Sequence, residues 1–234
     1  IKPIIGCEVY MAPRTRFDKT SELDGEAYHL VLLCENMQGY QNLIYMVSQS
    51  FLEGFYSKPR IDWELLQQHQ EGLICLSACL AGQIPQLLRQ GNYQGAKEIA
   101  QDYQALFGPN HYYLEVQDHG LPDQKMVNQG LVRLAQELGL GLVATNDAHY
   151  LRRQDARIQD VLMCIQMGKT VEDQNRMRFE GDEFYLKSAD EMAALFPEDQ
   201  FPGALSNTAD IACRCNVEFD FDQQHLPAFD TPDG

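Results

Sequence analysis

The sequence predicts an α/β fold, and three features support that class. Short apolar runs with the length of buried strands occur along the 234-residue chain. They alternate with segments in which apolar residues recur at helical spacing. Glycine and proline mark the borders between the two, as at Gly108-Pro109 and Gly139. Such alternation is typical of a largely parallel sheet whose strands are joined by right-handed helical crossovers.

Five apolar runs are predicted to be strands. They occupy residues 3–11, Tyr28–Cys34, Leu73–Leu76, Tyr112–Val116 and a last run that starts at Gly141. The residues between the first two runs, 12–26, are polar and contain Pro13 and Gly25. We therefore expect this stretch to be a loop.

Six segments are predicted to be helices from the spacing of their apolar residues. They are residues 40–51, Tyr93–Phe107, Pro122–Leu138, 157–167, Ala189–Leu195 and 204–215. Ser188 and Glu191 have the spacing of a capping box at the start of the fifth helix. The tail, residues 219–234, is acidic and contains proline, which predicts a linker.

The charge balance argues against one class of function. The chain has 34 acidic residues against 18 Lys and Arg, which gives a net charge of −16. An acidic surface repels phosphate backbones, so this chain is not expected to hold nucleic acid by itself.

The cysteines and the apolar runs indicate a cytoplasmic protein that does not contact a membrane. Seven cysteines are present, an odd number without a Cys-x-x-Cys pair, which favours buried reduced thiols. The apolar runs are shorter than the ~18 residues of a membrane span, and a signal peptide is not evident. Because the chain starts with Ile1 and enters a strand almost at once, we expect it to be a segment of a longer protein.

Side chains that can bind metal ions lie in or beside each predicted strand. They are Glu8, His29, Cys79, the stretch from Glu115 to His119, and Asp147 with His149. In an α/β barrel the site is built at the carboxyl ends of the strands, where such residues would form a shared metal centre. His29 fits this pattern least well because it precedes its apolar run instead of following it.

Several of these residues also have an ordinary structural explanation. Asp147 can be a helix N-cap followed by a polar loop histidine. Cys79 can be a buried apolar thiol, and His29 a core histidine with satisfied hydrogen bonds. His119 can line the opening of the same metal centre or cap a turn, and it is not counted as a ligand.

Six sequence blocks occur in the same order as in a known family. They are residues 2–8 (KPIIGCE), 28–33 (YHLVLL), 39–43 (GYQNL), 76–80 (LSACL), 114–120 (LEVQDHG) and 145–150 (TNDAHY). Together they resemble the polymerase-and-histidinol-phosphatase (PHP) domain of bacterial replicative DNA polymerase III alpha subunits. Two later blocks, residues 184–188 (FYLKS) and 207–212 (NTADIA), resemble the join between that domain and the palm domain.

The resemblance implies a distorted (βα)7 barrel of the TIM type that holds a small cluster of divalent ions, zinc or manganese being usual. The ligand positions of the family that are matched here are Glu8, His29, Cys79, Asp147 and His149. The family's other ligands lie in an amino-terminal His-x-His strand and an Asp-His turn, which this sequence does not contain. Residues 1–200 would then be an amino-terminally truncated PHP domain. Residues 201–234 would be its end and the linker into the palm, which carries the polymerase carboxylates and their magnesium.

The implied parent protein is a DNA-directed DNA polymerase, a nucleotidyltransferase of chromosome replication, whose active site lies outside this segment. It would contact DNA and nucleotides through other domains, and it would bind the proofreading exonuclease subunit, the sliding clamp and the clamp loader. Clustered metal ions polarise phosphoryl oxygens and activate water, so the segment itself is expected to be a phosphoesterase or a 3′–5′ proofreading exonuclease.

Two other functions remain open for the segment. One is an inactive scaffold that stabilises the polymerase and docks the separate exonuclease subunit, since a bound metal can be purely structural. The other is a stand-alone enzyme similar to histidinol phosphatase, which would leave the residues after Asp155 unexplained.

Overall fold

Six strands form one sheet in the computed structural model, which describes residues 1–222 and Leu226. The strands are β1 (Gly6–Met11), β2 (Tyr28–Cys34), β3 (Arg60–Ile61), β4 (Leu73–Leu76), β5 (Tyr112–Val116) and β6 (Gly141–Ala144). Their order across the sheet is β3-β1-β2-β4-β5-β6. The expected α/β class is confirmed, and this open sheet is consistent with a barrel-like fold.

The helices of the described residues lie between and after these strands. They are α1 (Ser21–Asp24), α2 (Met37–Leu52), α3 (Trp63–Gln68), α4 (Gln83–Arg89), α5 (Tyr93–Phe107), α6 (Pro122–Leu138), α7 (Ala156–Met167), α8 (Ala189–Leu195) and α9 (Ala204–Arg214). The predicted capping box is present at α8, where the Glu191 N–H donates to Ser188 Oγ and the Ser188 N–H donates to the Glu191 carboxylate.

The sheet is mixed, so the expectation of a largely parallel sheet is wrong for β2. That strand runs antiparallel to both of its neighbours, β1 and β4. The pairs β1–β3, β4–β5 and β5–β6 are parallel. Between β1 and β2 the chain makes a polar excursion with only the one-turn helix α1. An antiparallel return of this kind does not require the long crossover that a parallel pair needs.

Four short elements differ from the predictions. Residues 12–26, expected to be a loop, contain α1, and the elements β3, α3 and α4 were not predicted. A strand of two residues has no periodicity to detect, and α4 contains Pro85 within its first turn. Most of the predicted linker, residues 219–234, lies outside the described residues.

Apolar side chains cover both faces of the sheet. Helices α2, α3, α5 and α6 pack their apolar faces on one side and form the larger core with residues such as Leu32 and Leu114. On the other side, Ile211 of α9 packs with Tyr113 and Val143 in a smaller core. Successive strand side chains point to opposite faces, so the polar residue Glu115, two positions after Tyr113, lies on the side of the smaller core.

Within the described part of the chain, none of the helices combines the length and the apolar character required to cross a membrane.

Candidate metal centre

The antiparallel direction of β2 brings His29 to the edge of the sheet where β4, β5 and β6 end. Because β2 and β4 run in opposite directions, the start of β2 lies beside the end of β4, which leads to Cys79. In the β1–β2 register, Glu8 lies opposite Val31 and Tyr10 lies opposite His29. Opposed residues of an antiparallel pair share one face, so Glu8 and His29 project from the same side of the sheet.

A tight loop after β4 presents Cys79 to His29. Ala78 has a φ of 64°, a left-handed conformation that costs a residue with a side chain about 1–3 kcal/mol. The Gly82 N–H donates to the Cys79 carbonyl at 2.8 Å and closes the loop. A Cβ atom at Gly82 would lie 2.2 Å from the Ser77 carbonyl oxygen, so only glycine fits this close approach.

Glu8, His29 and Cys79 converge on one point. The Nδ1 atom of His29 lies 3.0 Å from Glu8 Oε1 and 3.5 Å from Cys79 Sγ. One potential ligand atom from each residue lies within 4.8 Å of the other two. Tetrahedral zinc with bonds of about 2.0–2.3 Å places its ligand atoms roughly 3.3–3.8 Å apart. The separation of 3.5 Å between His29 and Cys79 lies in this range, and the 3.0 Å between His29 and Glu8 is the shorter distance of a hydrogen bond. A carboxylate, an imidazole and a thiol are the ligand types of zinc, so the set fits a divalent ion after a small lengthening of that contact.

Contacts within this group shift the pKa values of His29 and Glu8. The pKa of His29 is raised to about 10, first by its hydrogen bond with Cys79 and then by Glu8, while burial opposes the shift. The pKa of Glu8 is lowered, first by its hydrogen bond with His29, against the effect of burial. The charges of Lys58 and His149 lower the pKa of Glu8 further.

Asp147 and His149 form a second pair beside this group. They follow β6 in a loop, where the Ala148 N–H donates to the Asn146 carbonyl at 2.7 Å and Asp147 Oδ1 lies 3.1 Å from His149 Nε2. The His149 N–H donates to the Phe184 carbonyl at 2.8 Å, and the Phe179 ring lies 4.5 Å from the imidazole. In the described residues the pair does not join the close group of Glu8, His29 and Cys79. The charge of His149 is the smallest of the effects that lower the pKa of Glu8, an electrostatic influence without a direct contact between these side chains in the described residues.

His119 lies in the interior and is 2% exposed. Its ring stacks on Phe184 at 4.3 Å, and its Nδ1 atom is 2.9 Å from Gln124 Nε2. Burial lowers the pKa of His119, which keeps the ring neutral. This position supports a structural role for His119.

Glu115 and Thr145 are partners of the site that lie outside the predicted ligand set; the sequence indicated Glu115 as a side chain that can bind metal and did not single out Thr145. Glu115 is buried on β5, and burial raises its pKa to about 7. Hydrogen bonds from Thr145 and Gln117 oppose that shift, and the charge of Glu8 adds to it. A buried glutamate within the apolar run Tyr112–Val116 was the available signal, since acidic residues are rarely fully buried unless paired.

Comparison with known proteins places these residues in a family. A profile of the PHP domain matches residues 1–119, which include Glu8, His29 and Cys79. The chain is 51% identical over 233 residues to the DNA polymerase III subunit alpha of Treponema pallidum, an overlap of 99% of this chain and 20% of that protein.

Two further relatives have the same description. The chain is 45% identical over 240 residues to the DNA polymerase III subunit alpha of Thermus aquaticus, which covers 100% of this chain and 20% of the relative. It is 45% identical over 234 residues to that of Borreliella burgdorferi, with 99% and 20% covered. The chain thus spans 20% of the length of these relatives. The matched profile covers more than half of the 234 residues, and the chain belongs to the PHP domain family.

Proposed function

We propose that this chain is the metal-binding PHP module of a bacterial DNA polymerase III alpha subunit. The convergence of Glu8, His29 and Cys79 within 4.8 Å carries the metal-binding part of the proposal. Asp147 and His149, which lie beside that group, are proposed to complete the ligand set. The identity to polymerase alpha subunits over 99–100% of the chain supports the assignment of the parent protein.

The parent protein is proposed to be a DNA-directed DNA polymerase that works in replication with the proofreading exonuclease subunit, the sliding clamp and the clamp loader. Residues 1–200 belong to the PHP module, and residues 201–234 belong to its end and to the linker into the palm. Magnesium at the palm would serve DNA synthesis, while zinc or manganese would occupy the PHP site.

For the module itself we propose a phosphoesterase activity, acting as a 3′–5′ exonuclease on DNA ends. Bound ions would supply charge to a phosphoryl oxygen and lower the pKa of water. The Nδ1 atom of His29 and the Glu8 carboxylate would bind at one side of the site, and Cys79 would bind from the loop after β4. The Glu8 side chain is 45% exposed, so a substrate can reach the site from solvent.

The experiment compares two histidines with matched surroundings in the full-length subunit. His29 Nδ1 lies 3.0 Å from Glu8, and His111 Nε2 lies 3.0 Å from Glu35 near the opposite ends of the strands. His29→Ala is expected to lower the content of zinc and manganese found by elemental analysis, whereas His111→Ala leaves it at the wild-type level. Equal metal content in all three proteins would reject the site.

A 3′-exonuclease assay on the same proteins separates activity from a structural role. Loss of degradation in His29→Ala, with retention in His111→Ala, supports the exonuclease. If the wild-type protein binds metal but does not degrade 3′ ends, the module is not an exonuclease. The scaffold would then be its function.

A further inference from the structure

Glu115 lies between the two loops that carry the proposed ligands. It is on β5, which pairs with β4 on one side and β6 on the other. The loop after β4 carries Cys79, and the loop after β6 carries Asp147 and His149. Glu115 is 5% exposed. Burial of a carboxylate is unfavourable unless hydrogen bonds satisfy it. The contacts of Glu115 therefore indicate which neighbouring segments it supports.

The first contacts of Glu115 reach the loop of Cys79. Its backbone N–H donates to Ser77 Oγ at 2.8 Å, which fixes the residue where β4 ends. The carboxylate oxygen Oε2 of Glu115 is buried and has no hydrogen-bond partner among the described residues. Glu115, Ala78 and Cys79 also line the same small cavity. Ala78, with its φ of 64°, therefore lies beside Glu115 at the start of this loop.

The second set of contacts reaches the loop of Asp147. Thr145 Oγ1 donates to Glu115 Oε1 at 2.5 Å. Gln117 Nε2 donates to the same carboxylate oxygen at 3.1 Å and to Thr145 Oγ1 at 3.0 Å. Thr145 lies two residues before Asp147, so these hydrogen bonds set where the chain leaves β6.

We propose that Glu115 is a positioning residue that joins the two ligand-bearing loops of the metal centre. It meets the Cys79 loop through its backbone N–H, which donates to Ser77 Oγ, and through the cavity that it lines with Ala78 and Cys79. It holds the Asp147 loop through the Thr145 hydroxyl. This inference rests on the proposed metal centre but concerns residues outside the ligand set. An apolar side chain at position 115 would avoid the unfavourable burial of a carboxylate and would leave both loops without this connection.

The test changes the connection one side at a time in the full-length subunit. Thr145→Val keeps the shape of the side chain and removes the hydroxyl, whereas Thr145→Ser keeps the hydroxyl and is the matched control. Glu115→Gln keeps an acceptor oxygen for Thr145 but replaces the buried, unpaired Oε2 with an amide N–H₂ group beside the cavity that Ala78 and Cys79 line, so it disturbs the Cys79 side.

Two measurements follow each variant. Competition with a chromophoric chelator gives the affinity for zinc, and mass spectrometry gives the rate at which Cys79 is alkylated in metal-free protein, relative to the exposed Cys213. We expect Thr145→Val to weaken zinc binding by about tenfold or more, as is typical for partners of metal ligands. Thr145→Ser should stay close to the wild type. Glu115→Gln should weaken zinc binding and also increase the alkylation of Cys79.

The outcomes distinguish this inference from the proposed function. If the wild type binds zinc and the three variants match it in affinity and in Cys79 alkylation, the positioning role is overturned. If the wild type binds no metal, the proposed metal centre fails, and the alkylation of Cys79 in Glu115→Gln still decides whether Glu115 holds that loop. Should Thr145→Val fail to fold, as judged by circular dichroism, the comparison of Thr145→Ser with Glu115→Gln gives the decision.

Discussion

At the scale of single residues, His29 connects the elements of the site. Its Nδ1 atom faces both Glu8 Oε1 and Cys79 Sγ. These two neighbours raise the pKa of His29 to about 10, so the ring holds a proton at neutral pH in the metal-free site. Binding of a metal ion by Nδ1 would require that nitrogen to be deprotonated, so metal binding would be coupled to the release of a proton.

Asp147→Ala is expected to lower the metal content of the full-length subunit from about two or three ions by about one. The reason is the position of Asp147 beside His149, next to the group that contains Glu8. Elemental analysis of the purified protein measures the change. Asp155→Ala is the control, because the Asp155 carboxylate accepts a backbone hydrogen bond from Arg152 in the nearby chain and serves a local structural role. Unchanged metal content in Asp147→Ala would remove Asp147 from the ligand set.

At the scale of elements, the sequence predicted those whose periodicity extends over several residues. The bounds of β2, β4, β5, α5, α6 and α8 were predicted as the structure has them. The two-residue strand β3 carries no such pattern, and its place beside β1 depends on pairing between distant residues. The direction of β2 was also not predictable from its own residues. That direction explains why His29, which precedes its apolar run, reaches the same edge as Cys79.

The side-chain network behind the ligands was the less predictable part of the site. Glu115 and Thr145 are 30 positions apart in the sequence and meet only because β5 pairs with β6. Asp147 and His149 were recognised through their spacing of two residues. The contact between Asp147 and His149 is consistent with that spacing. Their separation from the group of Glu8, His29 and Cys79 depends on the conformation of the loop after β6, which the spacing does not predict.

Helices α5 and α6 are joined by a surface ion pair that makes their contact sensitive to pH. Glu137 of α6 lies 2.8 Å from Lys97 of α5 and 2.9 Å from Arg133. These two hydrogen bonds lower the pKa of Glu137 to about 2, against a small opposing effect of burial. The folded state therefore binds fewer protons than the unfolded state, in which the pKa of glutamate is about 4.3. The stabilisation is complete above that value and is lost as the pH falls toward 2.

We expect Glu137→Gln to lower the melting temperature by about 1–2 °C at pH 7 and to have no effect near pH 2, since exposed ion pairs contribute little. Thermal melts of the wild type and the variant at several pH values measure the difference. Glu98→Gln is the matched control on α5, because the Glu98 carboxylate accepts its hydrogen bond from the neutral Gln94 side chain. A difference that persists at pH 2 would show that Glu137 acts through packing instead of charge.

At the scale of the whole molecule, the net charge of −16 opposes binding to phosphate backbones. We expect the 234-residue chain to bind duplex DNA weakly or not at all at about 0.15 M salt, because counterion release requires basic contacts. A fluorescence-anisotropy titration measures the affinity. Submicromolar binding that weakens with added salt would contradict this expectation and would indicate a basic surface that the overall charge conceals.

Removal of metal is expected to destabilise the PHP module of the full-length subunit. The charge of Glu8 raises the pKa of buried Glu115, which shows that carboxylates repel one another at this edge of the sheet. A bound cation relieves that repulsion and stabilises the folded state, by about 2.7 kcal/mol when the free ion exceeds its dissociation constant a hundredfold. For a domain of this size, that corresponds to a shift of roughly 5–10 °C. Differential scanning calorimetry with and without chelator measures this shift.

The two histidine variants are the controls. His29→Ala should melt at the same temperature in both conditions, while His111→Ala should keep the response of the wild type. An unchanged melting temperature of the wild type in chelator would mean that the metal does not stabilise the fold.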